Sequence, residues 1–273
     1  MLQLEFKEKQ FDGPYEVSEI NIEIDGELLR GIQYFPPQYV NKPYPLVVYF
    51  HGFPQLFPLQ EYVKNHQYLL DMGYAFMVFD FRGYRISEGQ VSIESQVNDA
   101  LRVKEFIEKL SEKGIFDISH IHLIAEDFGA YIGLIICSQI QFFRKILLIT
   151  PILDLERHIN HQDFKAGLQY LNKFVPGNVK GIDDEHQFIE MTRRELENED
   201  YQIRKVVKNL HIQELKVVGG EVDKVTPPEE IKNIFQISNQ SPTISLIPNM
   251  DHEDATESDI EKIHKEIKLF FSY

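Results

Sequence analysis

The hydrophobic positions of the chain follow two alternating periods over most of its length. Short continuous apolar runs at residues 46–50 and 74–79 have the length and composition of strands buried on both faces. Residues 59–72 and 92–113 instead carry apolar side chains at helical spacing, and each stretch ends at a glycine. Strands that alternate with helices in this way predict an α/β protein with a mostly parallel central sheet.

Two regions depart from this alternation. Residues 17–24 and 28–35 flank Asp25-Gly26, which predicts an N-terminal antiparallel hairpin. Residues 151–210 are rich in charge and helical patterns and hold no convincing buried strand, so we expect a helical insertion that acts as a lid over one edge of the sheet. The predicted division is a core of residues 1–150 and 211–273 and a helical insertion of residues 151–210.

The chain contains one abrupt change from an apolar run to a turn and then to a helical pattern, at Ala125-Glu126-Asp127-Phe128-Gly129. Strand, sharp turn and helix in this order are the context of a nucleophile elbow, normally G-x-S-x-G. The strained turn requires small residues two before and two after the nucleophile, and Ala125 and Gly129 meet that requirement. The nucleophile position, however, holds Asp127 instead of serine.

A glycine also follows the apolar run of residues 46–50, within His51-Gly52-Phe53-Pro54. Glycine at this point would let the amide of Phe53 turn toward a pocket as an oxyanion donor, with the amide of Phe128 as its partner. The plainer alternative is an ordinary turn from strand to loop.

Two more polar residues follow predicted strands near the C-terminus. Asp223 lies between the strand of residues 215–218 and a helix that opens with proline, so it either caps that helix or orients a catalytic histidine. His252 lies in a polar loop after the last predicted strand. Asp154 is the alternative acid if Asp223 serves only as a cap.

Together these motifs resemble the α/β-hydrolase superfamily over residues 17–273. The likeness is strongest to the prolyl-oligopeptidase-like and feruloyl-esterase-like members, which carry similar HGF, DFRGYG-S-EG, G-H-S-x-G-G, G-x-x-D-x-x-V-P and DH motifs. The resemblance implies an α/β-hydrolase fold with Asp223 and His252 as acid and base, and with the amides of Phe53 and Phe128 as the oxyanion hole. The chain departs from the family where Ala125-Glu126-Asp127 replaces glycine, histidine and serine.

An ionised aspartate at the elbow can attack a saturated carbon without a base, giving an alkyl ester that water hydrolyses with His252 as general base. The chain is similar in this respect to epoxide hydrolases and haloalkane dehalogenases. We therefore expect hydrolysis of a small, mostly apolar molecule through Asp127. Dehalogenases hold the halide with tryptophan, which this chain lacks, and epoxide hydrolases use lid tyrosines, for which Tyr170 and Tyr201 are weak candidates as substrate-binding residues.

The competing hypothesis is a hydrolase scaffold without catalysis, descended from a serine esterase or peptidase. Asp127 would then form a fixed ion pair with His252, stabilised by the oxyanion amides and the helix N-terminus. The protein would be a binding or regulatory module whose active site is filled by its own side chain.

Length, net charge and cysteine content limit the kinds of partner and the cellular location that we expect for this protein. The length of 273 residues suits one large domain or one domain with an inserted lid, and the net charge of −15 argues against nucleic acid and anionic membrane surfaces. Residues 1–10 lack a signal-peptide pattern and Cys137 is the single cysteine, so we expect a cytoplasmic protein without an internal disulfide. A small-molecule substrate is the expected partner, and a homodimer is left open.

No metal or other cofactor is predicted. His158 and His161 lie three residues apart and could share a helix face as metal ligands. A third ligand at motif spacing is missing, so a solvated polar face is the favoured interpretation of both histidines.

Overall fold

The computed structural model describes residues 9–252 and 255–272. Most of the N-terminal stretch in which no signal peptide is expected therefore lies outside the described residues, as does Tyr273 at the end of the predicted hydrolase region.

An antiparallel hairpin near the N-terminus consists of β2 (Tyr15–Ile24) and β3 (Glu27–Tyr34). Asp25 and Gly26 connect the two strands with φ of 53° and 86°, the backbone that a tight hairpin turn requires at both central positions. The predicted hairpin is confirmed. A three-residue strand, β1 (Gln10–Asp12), pairs with the outer edge of β2 and was too short to be predicted.

In the part of the chain that the structure describes, nine strands form a single sheet in the order β1-β2-β3-β5-β4-β6-β7-β8-β9. The first three strands and the pairing of β3 with β5 are antiparallel, while β4 to β9 are parallel to one another. The parallel strands are β4 (Tyr44–Phe50), β5 (Ala75–Asp80), β6 (Phe116–Glu126), β7 (Lys145–Ile149), β8 (Glu214–Gly220) and β9 (Thr243–Ile247). The predicted α/β architecture with a mostly parallel sheet is confirmed.

Helices cover both faces of the sheet, and the central strands are buried on both sides as a result. In β4, for example, Val48 and Phe50 belong to the apolar core on one face and Val47 and Tyr49 to the core on the other. The helices are α1 (Leu59–Asn65), α2 (Gln67–Asp71), α3 (Ile93–Glu112), α4 (Asp127–Gln139), α5 (Leu155–Asn160), α6 (Gln162–Phe174), α7 (Glu185–Glu195), α8 (Ile203–Val206), α9 (Pro228–Gln236) and α10 (Glu257–Phe271). None of these helices has the length and hydropathy to cross a bilayer.

The connection from β7 to β8 is helical throughout its regular structure, with α5 to α8 and two short 3₁₀ turns. No β-strand occurs in it, as the charged and helical pattern of residues 151–210 led us to expect. The assignment of this helical insertion as a separate lid stays a prediction.

The centre of the sheet is where its strand order reverses, because β4 lies between β5 and β6. Open α/β sheets bind ligands at such a switch point, at the carboxyl ends of the strands. Phe50 at the end of β4 pairs with Ala125 near the end of β6, so the loop that begins at His51 and the turn at Asp127 leave the sheet side by side.

The first turn of α4 packs directly against the end of β4. A Cβ atom on Gly129 would lie 2.4 Å from the carbonyl oxygens of both Phe50 and His51, closer than a methyl group can approach a carbonyl oxygen. The need for a small residue two positions after Asp127 therefore has a direct steric cause.

We expect Gly129→Ala to lower the free energy of unfolding by about 2 kcal/mol or more, because neither backbone carbonyl can move without disturbing β4. Gly167→Ala is the matched control, since a Cβ at this exposed position of α6 would meet no atom within 4 Å. It should raise stability by about 0.5–1 kcal/mol through helix propensity. Urea unfolding of the three proteins measures both effects, and equal stability of the two variants would contradict the steric account.

Candidate active site

Asp127 is the first residue of α4, directly after β6, and its φ of 51° lies in the left-handed region. This conformation is strained for a residue with a side chain, and it is typical of positions held in place for function. The amide of Ile152, just beyond β7, donates to the carbonyl oxygen of Asp127 at 3.2 Å and helps to hold the turn. The backbone thus has the strand, strained turn and helix of a nucleophile elbow.

Backbone amides hold the carboxylate of Asp127. Its Oδ2 accepts a hydrogen bond of 2.6 Å from the amide of Phe53, and the amide of Phe128 helps to lower the pKa of the carboxyl. Gly52 permits this approach, because a Cβ there would lie 2.7 Å from Oδ2. Of the two amides predicted as oxyanion donors, that of Phe53 therefore binds the carboxylate of Asp127 itself.

His252 links the second oxygen of this carboxylate to a third residue. Its Nε2 lies 3.1 Å from Oδ1 of Asp127, and its Nδ1 lies 3.0 Å from Oδ2 of Asp223. The other oxygen of Asp223 accepts from the amides of Val225 and Thr226 at 2.9 and 2.7 Å. Asp223 thus fixes its own loop and orients the histidine at the same time.

Asp154, the alternative acid, has a different position. Its Oδ1 accepts from the amide of Arg157 at 3.0 Å and caps the N-terminus of α5. The structure therefore brings Asp127, Asp223 and His252 together and gives Asp154 a capping contact.

The three side chains form a shielded group of charges, with 14 % of Asp127, 10 % of His252 and 1 % of Asp223 exposed. Burial alone would lower the pKa of His252, but its hydrogen bonds to Asp127 and Asp223 outweigh burial and raise the pKa to about 10. Burial likewise opposes ionisation of Asp127, yet His252 and the two backbone amides hold the pKa of this carboxyl below its ordinary value. At neutral pH an imidazolium therefore lies between two carboxylates.

Glu126, the neighbour of Asp127, forms a separate contact. Its carboxylate accepts a hydrogen bond from the hydroxyl of Tyr49, and burial raises the pKa of Glu126. This second carboxylate is thus paired with a tyrosine instead of joining the hydrogen-bonded group around His252.

An apolar pocket lies next to the turn at Asp127, and neither Asp127 nor His252 is among its described lining residues. Phe53, whose amide binds Asp127, and Phe128 both line it, and it encloses about 370 Å³ including its open mouth. The helical insertion supplies seven of the twelve described lining residues. The remaining lining residues are Val91, Ser92, Ile93, Ile152, Leu155, His158, Ile159, Phe164, Phe188 and Thr192.

Tyr170 and Tyr201, the candidate substrate-binding tyrosines of the helical insertion, lie outside the described lining of the pocket. Tyr170 is exposed on α6 with its ring against Phe174, and the carbonyl oxygen of Tyr201 accepts a hydrogen bond from Tyr131. Neither is among the described residues that line the pocket, and their substrate contacts stay a prediction.

Of His158 and His161, the first departs from the expected solvated face. His161 is exposed beside Asp163, but His158 is half-buried and lines the pocket. The sequence contains a signal for this position, since His158 lies between Leu155 and Ile159, the buried residues of α5. Within residues 9–252 and 255–272, no three histidine, cysteine or acidic residues are grouped so as to hold a metal ion.

Comparison with known proteins identifies the family. The family model for the α/β hydrolase fold matches residues 45–255. The chain belongs to the α/β-hydrolase fold family. A comparison with the sequences of curated proteins finds no significant match.

Solved α/β-hydrolase structures agree with this assignment at the level of the fold. Est1E from Butyrivibrio proteoclasticus, solved with bound ferulic acid, has a TM-score of 0.71 at 15 % identity, over 93 % of this chain and 98 % of that one. The α/β hydrolase GrgF from Penicillium sp. sh18 has a TM-score of 0.68 at 17 % identity, over 94 % and 99 %. An acetyl xylan esterase from Paenibacillus sp. R4 has a TM-score of 0.67 at 14 % identity, over 94 % of this chain and 85 % of that one.

The charge on Asp127 should control the protonation of His252. We expect Asp127→Asn to lower the pKa of His252 from about 10 toward its ordinary value near 6.5, because one of its two carboxylate partners becomes neutral. NMR titration of the imidazole measures this directly. A titration midpoint unchanged by Asp127→Asn would contradict the assigned pairing.

The same coupling predicts a pH dependence of stability. A histidine whose pKa is raised on folding stabilises the protein fully below its unfolded pKa, near 6.5, and this contribution disappears as pH rises toward 10. The wild-type protein should therefore lose its stability advantage over Asp127→Asn between these two pH values.

Proposed function

We propose that this α/β-hydrolase hydrolyses a small, mostly apolar molecule through an alkyl ester formed on Asp127. The observation that carries the proposal is the asymmetric setting of the carboxylate. One oxygen accepts the amide of Phe53 and the other faces His252, which Asp223 orients.

In the first step, Oδ1 of Asp127 attacks a saturated carbon of the substrate. A new oxygen–carbon bond forms, and the bond to the leaving group breaks with its electron pair going to that group, a halide ion or the opened oxygen of an epoxide. The ionised state of Asp127 at neutral pH supplies the nucleophile without a base.

Esterification also prepares the second step. Neutralising Asp127 removes the charge that holds the proton on His252, so the histidine releases its proton, to the opened epoxide oxygen or to solvent. Neutral His252 then takes a proton from water as the water oxygen attacks the ester carbonyl carbon. The resulting intermediate collapses to the alcohol product and the regenerated Asp127 carboxylate, with His252 again protonated.

The backbone amides suit this second step. Oδ2 becomes the carbonyl oxygen of the alkyl ester and carries the negative charge of the tetrahedral intermediate. The amide of Phe53 already lies 2.6 Å from that oxygen, so the donor requires no reorganisation when the charge develops.

Ester hydrolysis is a less suitable reaction for this site, although one similar structure is named an acetyl xylan esterase. Attack by Asp127 on an acyl carbon would give an anhydride. The apolar lining of the pocket further favours an uncharged substrate with a reactive saturated carbon, such as an epoxide or an alkyl halide.

A binding module without catalysis is the second candidate. The contact of 3.1 Å between Asp127 and His252, together with the hydrogen bond from Phe53, favours it, because the resting carboxylate fills the oxyanion position. In this case the apolar pocket would bind a ligand and release it unchanged.

Trapping the ester distinguishes the two candidates. In His252→Gln the first step should proceed and the second should stall, so incubation with epoxides or alkyl halides should add one alkyl group to Asp127. Intact-protein and peptide mass spectrometry would locate it, and Asp127→Asn in the same background is the matched control.

An adduct present in His252→Gln and absent from the control supports the covalent mechanism. Absence of any adduct on Asp127 and of turnover by the wild-type protein with the whole panel would establish the binding module instead.

A further inference from the structure

Three of the described residues that line the apolar pocket have polar side chains: Ser92, Thr192 and His158. Two of them are already engaged within the protein. The hydroxyl oxygen of Ser92 accepts from the amide of Ser95 at 2.9 Å and caps the N-terminus of α3. The hydroxyl of Thr192 donates to the carbonyl of Phe188 at 2.9 Å.

His158 is the exception. Its ring packs edge-on against Phe164, with ring centres 4.8 Å apart, and neither ring nitrogen forms a hydrogen bond with any part of the chain that the structure describes. Burial lowers the pKa of His158, so the ring is neutral at neutral pH and has one N–H donor. His158 lines the same pocket as Phe53, whose amide binds the carboxylate of Asp127, and Phe128, the residue after Asp127.

We infer that His158 donates a hydrogen bond to the leaving group of the substrate. The inference rests on the proposed function and assigns a residue to stabilise the negative charge of the leaving group. Negative charge develops on the leaving atom as its bond to carbon breaks, and an apolar wall cannot stabilise that charge. His158 keeps its proton in this step and stays neutral, while the electron pair of the broken bond leaves with the halide or the opened oxygen.

This role also defines the substrate. The ligand combines an apolar body with one small leaving atom that accepts hydrogen bonds well, such as chloride or an epoxide oxygen. Iodide is large and accepts hydrogen bonds weakly, so its departure should depend little on His158.

The test measures how fast Asp127 is alkylated in single turnovers of the His252→Gln protein, by mass spectrometry. The probes are 1-chlorobutane, 1-iodobutane and 1,2-epoxybutane. His158→Phe keeps the aromatic packing against Phe164 and removes the donor. It should slow alkylation by the chloride and the epoxide about tenfold or more and by the iodide less than about threefold.

Two further variants separate hydrogen bonding from structure. His158→Gln retains an N–H donor and should restore part of the rate with the chloride and the epoxide. His161→Gln removes the exposed histidine three residues later and should leave all three rates unchanged.

The outcomes separate this inference from the proposed function. Equal slowing with all three probes, or unchanged rates in His158→Phe, would overturn the leaving-group role while the adduct itself still supports Asp127 as the nucleophile. Absence of adduct when His158 is intact would overturn the proposed function and this inference together.

Discussion

The structure of the site depends on one buried carboxylate that must stay ionised. Asp127 is largely shielded from water, and a buried charge is costly unless hydrogen bonds and an opposite charge compensate it. The amide of Phe53 and the imidazolium of His252 provide that compensation from opposite sides. Three separate segments are joined by these contacts: the loop after β4, the elbow between β6 and α4, and the loop after β9. The charge of Asp127 therefore links these three segments.

In the proposed reaction, the same compensation also controls when His252 becomes a base. While Asp127 is ionised, His252 holds a proton and cannot act as a base. An alkyl ester on Asp127 would remove that restraint and leave Oδ2 beside the amide donors already in place. The resting state and the proposed ester state thus share one arrangement of side chains. They differ in the charge of Asp127 and in the protonation of His252. A serine at the elbow would carry no resting charge and would need the histidine neutral from the start.

Much of this arrangement was predictable, because it rests on local patterns. The turn at Asp25-Gly26 requires positive φ, and the alternation of strands and helices brings successive strand ends to one edge of the sheet. Asp127 and Phe53 could therefore be assigned to neighbouring positions from their places after two apolar runs. The pocket lining was not predictable, because it depends on how the helical insertion packs across the strand ends. His158 was consequently interpreted as a solvated residue, and Tyr170 was proposed as a substrate contact although it lies outside the pocket lining.

The central claim is that an oxygen atom of Asp127 enters the product. A single turnover of wild-type protein, in excess over 1,2-epoxybutane or 1-chlorobutane, in water enriched in ¹⁸O tests this most directly. The account predicts an unlabelled product alcohol oxygen from Asp127 and one ¹⁸O atom in the Asp127 peptide, because water attacks the ester carbonyl carbon. Label found in the new hydroxyl of the product, with an unlabelled Asp127 peptide, would show that water attacks the substrate directly and would contradict the account.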